Sequence, residues 1–398
     1  MHIITSSLLA FVMLTMSLCA WYDRRRKRAA ATPRAITVIV PCYKDADTVG
    51  DTLRSIFAAW PTRLLDVVAI NDASPDESLT RIREVAERYP ITIIDNPANL
   101  GKSESLNRAI AAARNDLILC LDADTLLTAR ALQDMLNRVV HDPRIGAVSC
   151  PYSPINRGFL PAMQAIEYSM LRLTQGAGNV TSALALWGGC LMLRRGAFNA
   201  VGGFSHHAIT EDVDLAFKLN RAGWRVEQSF VFVQTHVPTT WKTWLKQKTR
   251  WTSGGFQCTF AYPGVWLRNP LQVLFVAVYA AMAMLCAFVP ADDHSLLQIG
   301  RDIGGLIRLD IPFRMVMDLA MLQHGTDLLI GLLASFTLNL MSLIYVIPTI
   351  SRLQDWLRLA LVLPFSLGYF PLYIIVAAAG LFFWFTTLRR TPAGQRAW

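Results

Sequence analysis

Charge is scarce in this chain. Only 17% of its 398 residues are charged, while 53% are hydrophobic and the mean hydropathy is +0.34. That is apolar for a soluble enzyme, whose charged share is usually about a quarter. The apolar residues are unevenly spread, so a composite protein fits better than one large core. No C-x-x-C pair occurs among the seven cysteines, Cys19, Cys42, Cys120, Cys150, Cys190, Cys258 and Cys286. Most sit in apolar stretches, which favours reduced, buried thiols over a disulfide or zinc framework. No internal repeat or low-complexity tract is present. The P-loop spacing is missing too: Asn99-Leu100-Gly101-Lys102-Ser103 places a lysine at a helix N-terminus, where anions are favoured, but it is not a Walker A motif.

Positive charge is also missing ahead of the first apolar run, Ile3 to Ala20. It comes afterwards, at Arg24, Arg25, Arg26, Lys27 and Arg28. A cleaved signal peptide has the opposite order, so this reads as an anchor in residues 1–22 with the following domain on the cytoplasmic side. Further apolar runs span Leu271 to Val289, Leu328 to Ile347 and Leu359 to Phe385, within a C-terminal membrane region at 269–398. The stretch Leu296 to Leu322 carries Arg301, Asp302, Arg308, Asp310 and Arg314 and reads as an amphipathic interfacial helix. The expected location is the inner, cytoplasmic membrane. The net charge of +9 could point to nucleic acid. Its concentration beside the apolar runs makes anionic lipid the simpler partner, and no nucleic acid is expected.

Between these runs, residues 35–237 alternate strand and helix patterns. Strands are expected at Ile36 to Val40, Leu64 to Ile70, Ile91 to Ile94 and Asp116 to Leu121. Helices are expected at Thr48 to Ala59, Ser78 to Arg88 and Lys102 to Arg114. Near-continuous apolar strands alternating with helices specify an α/β domain with a mostly parallel sheet, where ligands bind beyond the carboxyl ends of the strands.

Several candidate residues fall at such ends. Tyr43 could stack on a base and Asp45 could accept hydrogen bonds, although Pro and Asp at a strand-to-helix turn are also ordinary punctuation. Asp72, after Asn71, is either an Asx turn or a carboxylate that accepts a uracil imide N–H. Asp122-Ala123-Asp124 follows an apolar strand and suits a hard divalent cation that also touches phosphate. Thr210-Glu211-Asp212 precedes a helix at Val213 to Arg221. Thr210 could cap it with the acids suiting its dipole, or Asp212 could serve as a general base. Trp241 to Trp251 is aromatic and basic, an interfacial segment within 238–268 by one reading. By the other, Gln247, Arg250 and Trp251 face one site together at one-turn spacing, Arg250 toward diphosphate and Trp251 toward a sugar face.

Taken in order, these motifs resemble the processive, membrane-embedded glycosyltransferases of family 2, which include the cellulose, chitin, hyaluronan and poly-N-acetylglucosamine synthases. The resemblance covers about residues 36–256. It implies a GT-A fold with UDP held by Tyr43, Asp45, Asp72, Lys102 and Asp122. It further implies Mg²⁺ or Mn²⁺ on Asp124 with Asp122, Asp212 as base beside Thr210 and Glu211, and Gln247, Arg250 and Trp251 on diphosphate and acceptor. Gly188-Gly189-Cys190 looks like the family's acceptor side. Lys44-Asp45 replaces the usual Asn-Glu, and Lys248 stands where Gln or Arg is usual. The implied partners are a UDP-sugar donor, a growing polysaccharide, the lipid bilayer and a small accessory membrane subunit. The Ile166-Glu167-Tyr168 segment and Trp241 to Gln247 look most like poly-N-acetylglucosamine synthases, which points to UDP-N-acetylglucosamine. The alternatives are a non-processive transferase acting on a lipid or oligosaccharide, a synthase using a different UDP-sugar, and an inactive polysaccharide export or binding protein.

Overall fold

The computed structural model describes residues 2–26, 28–270 and 364–384, with isolated positions at 273–274, 315, 361 and 386. A first helix α1 (His2–Arg25) is followed by alternating strands and helices. These are β1 (Ile36–Cys42), α2 (Val49–Ala59), β2 (Leu65–Asn71), α3 (Ser78–Ala86), β3 (Ile91–Asp95), α4 (Lys102–Ala112), β4 (Leu117–Leu121), β5 (Thr125–Leu126) and α5 (Ala129–His141). Then come β6 (Ile145–Ser149), β7 (Tyr152–Pro154), α6 (Phe159–Ala177), β8 (Cys190–Arg194), α7 (Arg195–Ala200), α8 (Glu211–Arg221), β9 (Arg225–Gln228), β10 (Val233–Thr235) and α9 (Trp241–Ala261). A last described helix, α10, runs Phe370–Phe383.

The seven-stranded sheet has the order β3-β2-β1-β4-β8-β6-β9. All its neighbours are parallel except those of β8, which runs antiparallel to both β4 and β6. This is the mostly parallel sheet that the apolar runs specify. Its strands alternate between two cores. Ile36, Val38 and Val40 with Leu117, Leu119 and Leu121 meet α2 and α5 on one face. Ile39, Ile118 and Cys120 meet α4, α7 and α8 on the other. Burial on both faces explains why these strands read as unbroken apolar runs rather than as half-polar ones. A small second sheet, β5-β10-β7, sits at the strand ends. The reversed direction of β8 has a consequence for the site: the residues just before it lie at the same end of the sheet as the residues just after β4.

Element ends differ from expectation by a turn or less. The helix expected from Val213 starts at Glu211, and the one expected to reach Arg114 stops at Ala112. The six described cysteines are unpaired, and Cys286 lies outside the described residues. So do the expected spans at 271–289, apart from Val273 and Leu274, and at 328–347, all of the 296–322 segment except Met315, and residues 387–398 of the C-terminal region. Among the described residues no helix is long and apolar enough to cross a membrane. The backbone of α1 nevertheless runs as one helix through Ile3 to Ala20 and into the arginine cluster.

That cluster is not wholly offered to lipid, as the charge pattern alone suggested. Arg28 turns inward to Asp23 at 2.5 Å and Glu227 at 3.3 Å, its side chain only 7% exposed. Arg138 meets Asp23 and Glu227 at 3.1 Å each and Asp134 at 2.9 Å. Asn179 adds a 2.8 Å hydrogen bond to Asp23. This buried network ties the end of α1 to α5 and β9. Removing one partner of a buried pair strands the others in low dielectric. Arg138→Met should therefore cost about 3–5 kcal/mol of stability, read by denaturant unfolding of the full chain. A loss below 1 kcal/mol would show that water reaches the network.

Candidate active site

The carboxyl ends of β1, β2 and β4 bring Tyr43, Asp45, Asp72, Asp122 and Asp124 to one edge of the sheet. A cavity of about 360 Å³ lies there, lined by Tyr43, Asp45, Asp72, Gly101, Lys102, Asp122 and Asp124 among others. The turn after β1 is strained: Lys44 has φ 64° and Ala73, in the facing turn, φ 54°. Both are non-glycine residues in the left-handed region, which persists only when neighbours over-determine it. The neighbours here are the Asp45 carboxylate, which accepts from Tyr43 N at 3.0 Å, and Ser74 Oγ, which accepts from Lys44 N at 3.2 Å.

Asp72 is buried, and three protein donors already fill its carboxylate. Asn96 Nδ2 donates at 2.8 Å and Leu100 N at 2.9 Å to Oδ1, and Gly101 N donates at 2.9 Å to Oδ2. A carboxylate has about four acceptor directions, so Asp72 chiefly clamps the 99–101 turn. The Asn99 to Ser103 turn, where the helix N-terminus favours anions, therefore spends two N–H groups on Asp72. The Asx turn belongs to Asn71, whose Oδ1 accepts from Ser74 N at 3.3 Å.

Released by that turn, where Gly101 takes φ 82°, Lys102 reaches Asp122 at 2.6 Å and Glu211 at 3.2 Å. Gly188 and Gly189 make this convergence possible. Asp122 N donates to Gly189 O at 3.0 Å, and Gly188 N donates to Asp212 Oδ2 at 2.8 Å. A Cβ on Gly188 would stand 2.7 Å from Asp212 Oδ2, and one on Gly189 would stand 3.1 Å from Asp122 Oδ2. Gly189 N also donates to the Tyr152 hydroxyl. Residues before β8 thus join the D-x-D to the T-E-D.

The electrostatics separate these acids. Burial first, then Glu211, pushes the Asp212 carboxyl up to about 6, against the pull of Lys102. Burial tends to raise Glu211 as well, but Lys102 and Arg250 hold it below the usual range. Asp124 is likewise pushed up to about 6, by burial and then by the charges of Asp122 and Asp45. Lys102 is held above its ordinary value by Asp122 and Glu211 despite burial. Adjacent carboxyls driven apart in this way supply an ion and a base poised near neutrality.

Among the described residues no three His, Cys, Asp or Glu side chains are placed to hold a metal ion. Asp122 and Asp124 nevertheless fit one. A hard divalent cation commonly takes one or two carboxylates, with phosphate and water completing its shell. Burial, and after it the charges of Asp122 and Asp45, disfavour the ionised Asp124 carboxylate, and a cation there would offset both.

A second cavity of about 270 Å³ shares Lys102, Asp122 and Asp124 with the first and continues past Asp212 to Gln247, Arg250 and Trp251. One of its walls is α9, the helix that carries Trp241 to Trp251. Lys248 does not stay in the open as a surface charge. It is fully buried, 2.7 Å from Glu167 and 4.0 Å from the centre of the Trp251 ring. Thr210 does not cap α8 with its side chain. Its Oγ1 is buried without a hydrogen-bond partner and packs on Gly254 of α9, as Gln247 Oε1 is also buried without one. The motif residues thus line two joined cavities. Tyr152 carried no motif signal, the Ile166-Glu167-Tyr168 segment gave a resemblance without a role in the site, and only the glycine pair hinted at the close approach.

Because Asp212 and Asp124 are raised, their ionised forms are disfavoured in the fold. That cost is fully present above about pH 6 and vanishes as pH falls below the ordinary carboxyl value near 4. In chelator, Asp212→Asn and Asp124→Asn should each raise the thermal midpoint at pH 7.5 by about 2–4 °C. The gain should disappear near pH 4, and a fall in midpoint at pH 7.5 would contradict it.

Residues 33–254, more than half of the chain, match the family described as glycosyltransferase like family 2. The poly-beta-1,6-N-acetyl-D-glucosamine synthase of Staphylococcus aureus strain MSSA476 is 31% identical over 226 residues, covering 56% of this chain and 55% of that protein. The synthase of the same name from Staphylococcus epidermidis is 29% identical over 227 residues, with the same coverage. The chain spans about half the length of these relatives. The fold is similar to that of the mannosyltransferase PcManGT from Pyrobaculum calidifontis, solved in complex with GDP-Man and Mn²⁺. The TM-score is 0.54 at 21% identity, over 82% of this chain and 99% of that one. The α/β fold is GT-A-like. The chain belongs to the family 2 glycosyltransferases and is a glycosyltransferase.

Proposed function

We propose that this glycosyltransferase is processive and inverting, and that it joins UDP-sugar units into an exported polysaccharide at the cytoplasmic face of a membrane. The similarity to poly-beta-1,6-N-acetyl-D-glucosamine synthases favours UDP-N-acetylglucosamine as the donor. The observation that carries the reading is the junction of two cavities at Lys102, Asp122 and Asp124, with a raised Asp212 on the far side. One cavity suits a nucleotide, with Tyr43 and Asp45 at its lip and Asp72 holding its floor. The other suits a sugar acceptor, with Trp251 and Tyr152 as apolar walls.

In this reading Asp212 takes the proton from the acceptor hydroxyl. The freed oxygen bonds to the donor C1 while the bond from C1 to the diphosphate oxygen breaks, and UDP leaves with the electron pair. Lys102 and Arg250 offer positive charge to the diphosphate, and Glu211 keeps Lys102 aimed at it. Asp124 with Asp122 would hold Mg²⁺ or Mn²⁺, which supplies further neutralisation of the leaving diphosphate. The helices flanking the domain would place the acceptor at the bilayer. The cytoplasmic orientation follows from the arginines after Ala20, and an accessory membrane subunit would complete the export route.

Membranes carrying the full chain, incubated with labelled UDP-sugars and Mg²⁺, should yield a long polymer from UDP-N-acetylglucosamine. Polymer from UDP-glucose instead would sink the sugar assignment, and a single added sugar would sink processivity. Absence of UDP release with every donor would point to an export or binding protein.

Asp212→Asn should lower kcat by about 10²–10⁴-fold. In the native chain kcat/KM should rise with pH through about 6 as Asp212 ionises, and the variant should lack that limb. Near-normal turnover in the variant would remove Asp212 as the base.

A further inference from the structure

The second cavity contains a polar atom that none of the four motifs accounts for. Gln175 lies on α6, four residues beyond Leu171 and seven beyond Tyr168, both of which also line the cavity. Residues at such spacings share one helix face, so α6 presents Tyr168, Leu171 and Gln175 as a single wall. Gln175 Oε1 is buried and has no hydrogen-bond partner in the protein. Gln247, whose Oε1 is also buried without a partner, lines the same cavity, as does Thr210, although the Thr210 hydroxyl itself packs on Gly254. Leaving a carbonyl oxygen desolvated and unbonded is expensive, and buried amides are almost always satisfied. Two unbonded amide oxygens beside one space, those of Gln175 and Gln247, therefore describe a surface that can receive hydrogen bonds from a ligand.

The rest of the wall limits what that ligand is. Tyr152, Tyr168 and Trp187 pack edge to face, with ring centres 4.7–5.9 Å apart. Trp251 lies 6.3 Å from Tyr168. Rigid aromatic faces beside isolated acceptor oxygens suit a neutral carbohydrate, which offers C–H faces to the rings and O–H or amide N–H groups to the oxygens. The nucleotide is not the candidate, because Gln175 does not line the cavity of Tyr43, Asp45 and Asp72.

We propose that Gln175 is a specificity-determining residue of the acceptor subsite, its amide oxygen accepting a hydrogen bond from a hydroxyl or acetamido N–H of the acceptor saccharide. This rests on the transferase reading above. It adds a residue of α6 to a site otherwise built from strand ends, α8 and α9.

The test uses the full chain with Gln175→Leu and Gln175→Glu. Two reactions are followed: UDP release to water without acceptor, and transfer to an added short oligosaccharide of the donor sugar. Gln175→Leu should raise the acceptor KM about tenfold, the effect of losing one hydrogen bond worth a factor of ten in affinity. UDP release to water should stay within about twofold of native. Gln175→Glu keeps an acceptor oxygen at the same place and should lie closer to native than the leucine variant. The thermal midpoint of Gln175→Leu should be equal or higher, because an apolar group replaces an unbonded amide.

An unchanged acceptor KM in the leucine variant overturns the proposal. So does a parallel fall in UDP release to water, or a lowered midpoint, since either shows that the amide supports the fold instead. A native chain that releases no UDP from any donor overturns the transferase reading itself and this inference with it. That outcome appears before any Gln175 variant is compared.

Discussion

The constraint on which the site depends is the crowding of carboxylates around one ammonium. Asp122 and Glu211 sit 2.6 Å and 3.2 Å from Lys102, with Asp124, Asp45 and Asp212 within electrostatic reach. Carboxylates gathered in a partly desolvated space repel one another, and part of that repulsion is visible in the raised Asp124 and Asp212. A fold tolerates such a cluster only if strong local geometry holds it. Here the geometry comes from strand direction. Parallel β1, β2 and β4 aim their ends at the same edge, and antiparallel β8 contributes the glycines that precede it. Without a side chain at 188 and 189, the chain passes close enough to bond Asp212 on one side and Asp122 on the other.

The same crowding gives each acid a separate task. Glu211 is kept ionised by Lys102 and Arg250, so it serves as a fixed charge that orients the lysine. Asp212 accepts Gly188 N on one oxygen and its neighbour Val213 N on the other, yet burial still raises it. Asp72 stands apart. It spends its charge on the backbone of the 99–101 turn, which sets where Lys102 begins. One acid positions the cation, a second keeps it paired, and a third is left poised to take a proton.

Much of this was legible in the chain itself. The strands read as apolar runs because both of their faces are buried, and the acids after β2 and β4 sat where a parallel sheet places ligands. The motif residues fall on the walls of the two cavities. Other features were not legible because they depend on contacts distant in sequence. Thr210 looks like a cap, but its hydroxyl is turned against Gly254 of α9. Lys248 looks like a surface charge on an amphipathic helix, but Glu167, 81 positions earlier, draws it into the interior. Arg28 looks like part of a lipid-facing cluster, but Asp23 and Glu227 capture it. In each case local pattern assigns the residue to solvent or to a helix end, and a tertiary partner overrides that assignment.

Lys248 also explains how the wall of the second cavity keeps its aim. Burial lowers its pKa even with Glu167 beside it, so the pair adds little net stability compared with an apolar contact of the same shape. What it adds is register. Glu167 also accepts from the Tyr369 hydroxyl, and that hydroxyl in turn accepts from Trp244 Nε1 at 2.6 Å. A slide of α9 by one residue would strand Lys248 and Glu167 without each other, at a cost far above that of any apolar mismatch. The network therefore permits one seating of α9 against α6 and the segment leading into α10. Gln247, Arg250 and Trp251 lie within three residues of Lys248, so that single seating is what points them into the cavity.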